Sequence, residues 1–262
     1  MSIVYAILVM CILGAVFGVA LSFADKKFAV PVDEKVQRIR ENVSGANCGA
    51  CGYPGCDGFA EAVAKGEAPV NGCTPGGEKS AKALAEIMGV SVEACALEVA
   101  RVRCLGEKGV AKERFTYSGI QTCRAAMAFA GGPKECQYAC LGLGDCERVC
   151  AFDAIKMVNG IAKIDPEKCT ACGMCVKECP RSIIALLPVS SKVTVLCSSL
   201  NNAKTTKLSC SRGCIGCKRC EKACEFDAIH VVNGLAKIDP SKCTNCKACV
   251  EVCPVNCIVV EE

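Results

Sequence analysis

The cysteines constrain this chain more than anything else in it. Of 262 residues 27 are cysteine, and 20 of those fall into five sets of four. Two sets are strict: Cys169-x2-Cys172-x2-Cys175-x3-Cys179-Pro180 and Cys243-x2-Cys246-x2-Cys249-x3-Cys253-Pro254. A third, Cys214-x2-Cys217-x2-Cys220-x3-Cys224, lies upstream of the second run, and a looser one, Cys136-x3-Cys140-x5-Cys146-x3-Cys150, lies upstream of the first. The fifth is Cys48-x2-Cys51-x4-Cys56-x16-Cys73, with Gly49, Gly52, Pro54 and Gly55 interleaved. Zinc normally takes its ligands as two separated pairs, often with histidine, whereas the strict runs place three thiols within seven residues and the only histidine is His230. A disulfide framework belongs to short chains in oxidising compartments, and an odd cysteine count does not suit it.

The strict runs have the spacing of the bacterial ferredoxin motif. Three close thiolates hold one cubane, and the fourth, next to proline, reaches to the partner cluster. Crossing the fourth ligands groups Cys136, Cys140 and Cys146 with Cys179, and Cys150 with Cys169, Cys172 and Cys175. In the later module it groups Cys214, Cys217 and Cys220 with Cys253, and Cys224 with Cys243, Cys246 and Cys249. With Cys48, Cys51, Cys56 and Cys73, five [4Fe–4S] clusters are expected, and the chain reads as a relay for single electrons.

Composition agrees with a core that leans on metal. There is no Trp, aromatics make up 5%, and 24 residues are glycine. Small modules that bury little apolar surface draw folding free energy from bound metal. The formal charge of +4 omits the cofactors. Five clusters at roughly −2 each add on the order of −10, which makes the loaded protein acidic and argues against nucleic acid as a partner.

Ile3 to Phe23 carry no charged side chain. At 1.5 Å per residue such a run is about 31 Å long and matches a bilayer core. No basic region precedes it and no small-x-small cleavage site follows, so it is expected to be an uncleaved anchor rather than a signal peptide. Lys26 and Lys27 after the span place the rest of the chain in the cytoplasm, where thiols stay reduced. Gly14 and Gly18 form a GxxxG face open to another helix, and Cys11 reads as a small apolar thiol within the span.

Asp33 to Val43 reads as a short helix with Asp33 as N-cap, and Ala81 to Met88 as a helix stopped by Gly89. Around Val99 and Val102 a strand or a helix end is expected. Cys95, Cys104 and Cys123 stand at long spacing and read as buried thiols, with a part for Cys104 and Cys123 in a further cluster left open. Cys197, Cys210 and Cys257 have no place in the four-ligand count. Residues 150–180 and 224–254 are identical at 21 of 31 positions with an offset of 74, which marks an internal duplication. Each copy carries Asn-Gly between apolar arms, the signal of a type I′ hairpin, and His230 falls on one of those arms as a solvated residue. Pro188 to Ser211 reads as a connector with one short strand, Val193 to Leu196.

No dinucleotide fingerprint, phosphate loop or nucleophile–base pair occurs, so neither nicotinamide nor flavin is expected to bind, and the Gly142/Gly144 segment lies inside a ligand run. In its anchor, in Cys48-Gly-Ala-Cys51-Gly-Tyr-Pro-Gly-Cys56 with Cys73, in Tyr117-Ser-Gly-Ile-Gln-Thr-Cys123, in Cys140-Leu-Gly-Leu-Gly-Asp-Cys146 and in the ferredoxin runs, the chain resembles the B subunits of Rnf complexes, the ion-translocating ferredoxin:NAD oxidoreductases of bacterial membranes. Many of that family carry one paired module, and this chain carries two. The resemblance implies an iron–sulfur subunit of a translocase that accepts electrons from reduced soluble ferredoxin. It would pass them to the membrane subunits of the complex, which move sodium ions or protons. Two other classes stay open: a membrane-anchored polyferredoxin serving another oxidoreductase such as a hydrogenase, and a corrinoid-linked iron–sulfur enzyme, for which the chain lacks a cofactor domain of the required size.

The expected fold is α+β. It comprises a transmembrane anchor (1–24), an N-terminal 4Fe-4S module (25–90), a connecting segment (91–135), a first 2[4Fe-4S] ferredoxin-like module (136–187), a connector (188–211) and a second such module (212–262). Lys204, Lys207, Arg212, Lys218, Arg219 and Lys222 form a basic group beside the last module, suited to an acidic donor.

Overall fold

The computed structural model describes residues 2–28, 33–91 and 97–261, so Cys95 lies outside the described residues. The uncharged N-terminal run forms helix α1 (Ser2–Phe28). Its segment Ile7–Ala24 is long and apolar enough to cross a membrane and is not buried against the rest of the chain. Side chains such as Ile7, Val16, Phe17 and Leu21 stand free around it, and no Cβ placed at Gly14 or Gly18 would meet another atom.

Three helices build the N-terminal module: α2 (Glu34–Glu41), α3 (Gly55–Lys65) and α4 (Gly77–Met88). Asp33 caps α2, its Oδ1 accepting the Lys35 N–H at 2.9 Å, and Gly89 ends α4 in the left-handed conformation. Ile39, Phe59, Val63 and Leu84 are fully buried between the three helices.

The remainder repeats one plan twice. Within the connecting segment, where a strand or a helix end is expected around Val99 and Val102, the chain forms strand β1 (Glu98–Val102). The Asn-Gly hairpin follows as β2 (Ile155–Val158) and β3 (Ile161–Ile164), and β4 (Ile184–Pro188) returns to pair antiparallel with β1. In the second copy, β5 (Val193–Val195) comes from the connector, β6 (Ile229–Val232) and β7 (Leu235–Ile238) form the hairpin, and β8 (Ile258–Val260) pairs with β5. Asn159 and Gly160 take φ of 50° and 75°, and Asn233 and Gly234 take 53° and 77°, as a type I′ turn requires. Between strands lie short helices: α5 (Cys123–Ala128), α6 (Asp145–Arg148), α7 (Met174–Glu178), α8 (Ala203–Ser209), α9 (Arg219–Lys222) and α10 (Ala248–Glu251).

Among the described residues each sheet has two strands. Isolated two-stranded ribbons are marginal in water. The second module buries Val193, Val195, Ile229, Leu235 and Ile258 together with Cys214, Cys220, Cys249 and Cys253, so ligands and core are one set of residues. Removing iron anaerobically with a chelator is therefore expected to collapse both ferredoxin-like modules, read as loss of strand signal in circular dichroism, while helix α1 persists. Retention of the native spectrum after complete iron loss would show that the core suffices alone.

Candidate metal centres

In the second module the duplication brings the thiols together in crossed sets. One cavity of about 330 Å³ is lined by Cys224, Cys243, Cys246 and Cys249, and a second of about 300 Å³ by Cys214, Cys217, Cys220 and Cys253, with Cys257 beside them. Helices α9 and α10 each begin one residue before a ligand, Cys220 and Cys249, and turn that thiol inward. Among the described residues no three Cys, His, Asp or Glu side chains close around a point as they would about a single ion. The sulfurs ring a cavity instead, the arrangement a polynuclear cluster needs and a tetrahedral zinc does not.

The first module departs from the expected grouping. Its cavity of about 350 Å³ is lined by Cys123, Cys140, Cys146 and Cys179, and Cys136 is not among them. The offset of 74 explains this: Cys140, Cys146 and Cys150 correspond to Cys214, Cys220 and Cys224, while Leu143 stands where Cys217 stands. No thiol stands at Leu143, and Cys123, 20 residues upstream at the start of α5, lines the cavity in its place. Thr122 caps that helix through Ala125 N–H at 3.2 Å. Buried Asp145 accepts the Cys123 and Arg124 N–H groups, both at 3.0 Å, and pairs with Arg148. The signal in the sequence was the missing cysteine at Leu143, legible only once the two copies are aligned by the offset rather than by cysteine spacing.

Cys150, Cys169 and Cys172 all lie within electrostatic reach of Cys175. Backbone donors support the sulfurs: Ala100 N–H on β1 reaches Cys169 at 3.4 Å, and Ala228 N–H reaches Cys224 at 3.4 Å. Two glycines let ligand loops press against the hairpin turns. A Cβ at Gly142 would lie 2.4 Å from the Gly160 carbonyl, and one at Gly216 would lie 2.8 Å from that of Gly234, with φ positive at both.

In the N-terminal module Cys51 and Cys73 pack at the same apolar core, and Cys56 opens α3 with its N–H donated to Asn47 Oδ1 at 2.8 Å. Cys48 sits near both Cys51 and, across modules, Cys172. Cys257 is buried 3.7 Å from the Cys253 sulfur, at the position Ile183 takes in the first copy. His230 is exposed on β6, beside Asp227 at 3.3 Å, and touches no thiol cage. Cys11 is exposed on α1.

Burial is the largest influence on several of these thiols, whereas Cys214 is lowered to about 6 by the neighbouring Cys257 thiol. Burial pushes Cys146 and Cys175 up to about 12, with neighbouring thiols adding to the effect, and it raises Cys123 and Cys140 as well. These groups hold their protons at neutral pH unless a cationic core displaces them.

Among known proteins, the chain is 45% identical to the B subunit of the Na(+)-translocating ferredoxin:NAD(+) oxidoreductase complex of Acetobacterium woodii, over 94% of this chain and 74% of that one. It is 39% identical to the B subunit of the ion-translocating oxidoreductase complex of Methanosarcina acetivorans, over 97% of this chain and 96% of that one. The chain belongs to the B-subunit family of Rnf complexes. A further member, the B subunit of the proton-translocating ferredoxin:NAD(+) oxidoreductase complex of Clostridium ljungdahlii, is 41% identical over 98% of this chain and 92% of its own. Family models agree with an Rnf B subunit: an Fe-S cluster family matches residues 45–75, a 4Fe-4S binding domain 162–185 and a 4Fe-4S dicluster domain 213–257. The first match spans Cys48, Cys51, Cys56 and Cys73. The protein is thus an iron–sulfur electron-transfer subunit of a translocating oxidoreductase.

The regrouping predicts that Cys123→Ser and Cys146→Ser perturb the same cluster signal in electron paramagnetic resonance, while Cys136→Ser leaves that signal intact. A Cys136→Ser spectrum matching that of Cys146→Ser would restore the set expected from spacing. Because loading the cages releases thiol protons, clusters should be lost to chelator faster as pH falls from about 8 to about 6. The sign follows from the raised thiol values: below about 12 the proton favours free Cys146 and Cys175, so acid competes with iron. A rate independent of pH would contradict it.

Proposed function

We propose that the chain holds five [4Fe–4S] clusters and accepts electrons from reduced soluble ferredoxin on the cytoplasmic face, passing them toward the membrane subunits of the complex. Each cluster supplies one-electron uptake and release at nearly fixed geometry. The ligand sets are Cys48, Cys51, Cys56 and Cys73; Cys123, Cys140, Cys146 and Cys179; Cys150, Cys169, Cys172 and Cys175; Cys214, Cys217, Cys220 and Cys253; and Cys224, Cys243, Cys246 and Cys249.

The carrying observation is the serial order of these thiol cages. Cys217 and Cys246 are exposed at the C-terminal module, and at the other end of the series Cys172 neighbours Cys48 of the module that follows helix α1. The thiolates hold the clusters, the loops keep water from them, and backbone N–H groups aimed at sulfur favour the reduced state. Nicotinamide reduction and sodium or proton movement belong, in this reading, to partner subunits, with α1 as anchor and its Gly14/Gly18 face open to another helix.

Lys204, Lys207, Lys218, Arg219 and Lys222 are exposed beside the exposed cages, which supports an acidic ferredoxin docking there. Reversing Lys218 and Arg219 to Glu should slow reduction of the complex by ferredoxin about tenfold or more at low salt and much less at high salt. Equal rates at low salt would move docking to another module.

A further inference from the structure

Four thiols that the five sets leave over, Cys104, Cys136, Cys197 and Cys210, stand around one more cavity. We infer that this cavity is a sixth [4Fe–4S] site, ligated by Cys104, Cys136, Cys197 and Cys210 and placed between the two ferredoxin-like modules. The inference shares the thiolate-cage reading of the other five.

Internal symmetry is the first argument. Cys136 and Cys210 are related by the same offset of 74 that relates Cys140 to Cys214, so both copies keep a cysteine four residues before the first ligand of their own cage. Cys104 and Cys197 each lie two residues beyond the leading strand of their copy, β1 ending at Val102 and β5 at Val195. Each module thus gives one thiol after its first strand and one before its ligand run. Neither module can complete the set alone.

Backbone geometry is the second. The Cys104 sulfur accepts N–H groups from Gly106 at 3.3 Å and Cys140 at 3.3 Å. The Cys197 sulfur accepts the equivalent pair, Ser199 at 3.5 Å and Cys214 at 3.3 Å. Two donors on one sulfur suit a thiolate that carries charge, and a buried free thiol has no need of them. Cys136 lies within electrostatic reach of Cys104, Cys197 and Cys210. Main-chain bonds from Lys112 to Ser209 at 2.9 Å and from Ser211 to Val110 at 3.2 Å hold Cys210 against the first module.

All four thiols are free of disulfides. As elsewhere among the described residues, the groups do not close about a single ion. The site also has a place in the electron path. Cys140 and Cys214, whose N–H groups bond its sulfurs, are themselves ligands of the adjoining cages, one in each module. The sixth centre therefore fills the step between the modules.

The test is native mass spectrometry of the full chain, anaerobically reconstituted, with iron, sulfide and zinc measured in parallel. Wild type should carry up to six cubanes, about 24 iron atoms, and the double variant Cys104→Ser, Cys210→Ser should carry five, about 20, with circular dichroism unchanged. In the same variant, electrons supplied to the second module should reach the first at least tenfold more slowly. A wild-type maximum of five cubanes, or one equivalent of zinc that disappears in the double variant, would overturn the sixth site. Because that count is made on wild type, it stands even where the variant misfolds. Failure of the cage reading as a whole would look different: Cys217→Ser would then retain every cubane found in wild type.

Discussion

A thiolate cannot be buried without a cation, and this chain buries its thiols in groups. Burial, with the neighbouring sulfurs adding to it, lifts the Cys146 and Cys175 thiols to about 12. Four such groups around a cavity of about 300–350 Å³ are tolerable as neutral thiols or as ligands of a positive core, and as nothing between. Two-stranded sheets and helices of four to seven residues add little apolar surface of their own. Folding and cofactor binding are accordingly one equilibrium in this part of the molecule.

The duplication shows how tightly that equilibrium binds distant residues. The second module draws one cage from the regular run Cys214, Cys217, Cys220, with Cys253 crossing over. The first has Leu143 where the second has Cys217, and there Cys123, brought in by residues 97–135, lines the cavity with Cys140, Cys146 and Cys179. That placement needs its own support, and buried Asp145 provides it by accepting two N–H groups at the start of α5. Deleting this carboxylate would strand two amide donors beside a ligand, at a cost of about 2 kcal/mol by the usual scale for charged capping bonds.

Charge is arranged against the net balance. The polypeptide is formally +4 and the loaded protein acidic, yet exposed cations cluster on α8, α9 and the turn before Cys220. Local potential rather than net charge governs the approach of a partner within about a Debye length of roughly 8–10 Å. A basic face beside exposed ligands on an otherwise negative surface restricts where an acidic carrier comes to rest.

The sequence by itself determined the cofactor class, both type I′ hairpins, the capped helices α2 and α4 and the family, because each depends on residues within a few positions or on a strict repeat. The apolar length of α1 was equally legible. Only the tertiary structure decided which thiols meet across long separations: Cys123 joins Cys140, Cys146 and Cys179, and Cys104 and Cys136 meet Cys197 and Cys210. Those contacts are made by strand pairing, β1 with β4 and β5 with β8, and by the main-chain bonds between Val110–Lys112 and Ser209–Ser211. Ligand spacing encodes geometry only while the chain between two cysteines is too short to take another path. Beyond a few residues the loop can close in many ways, and packing of the whole domain selects one.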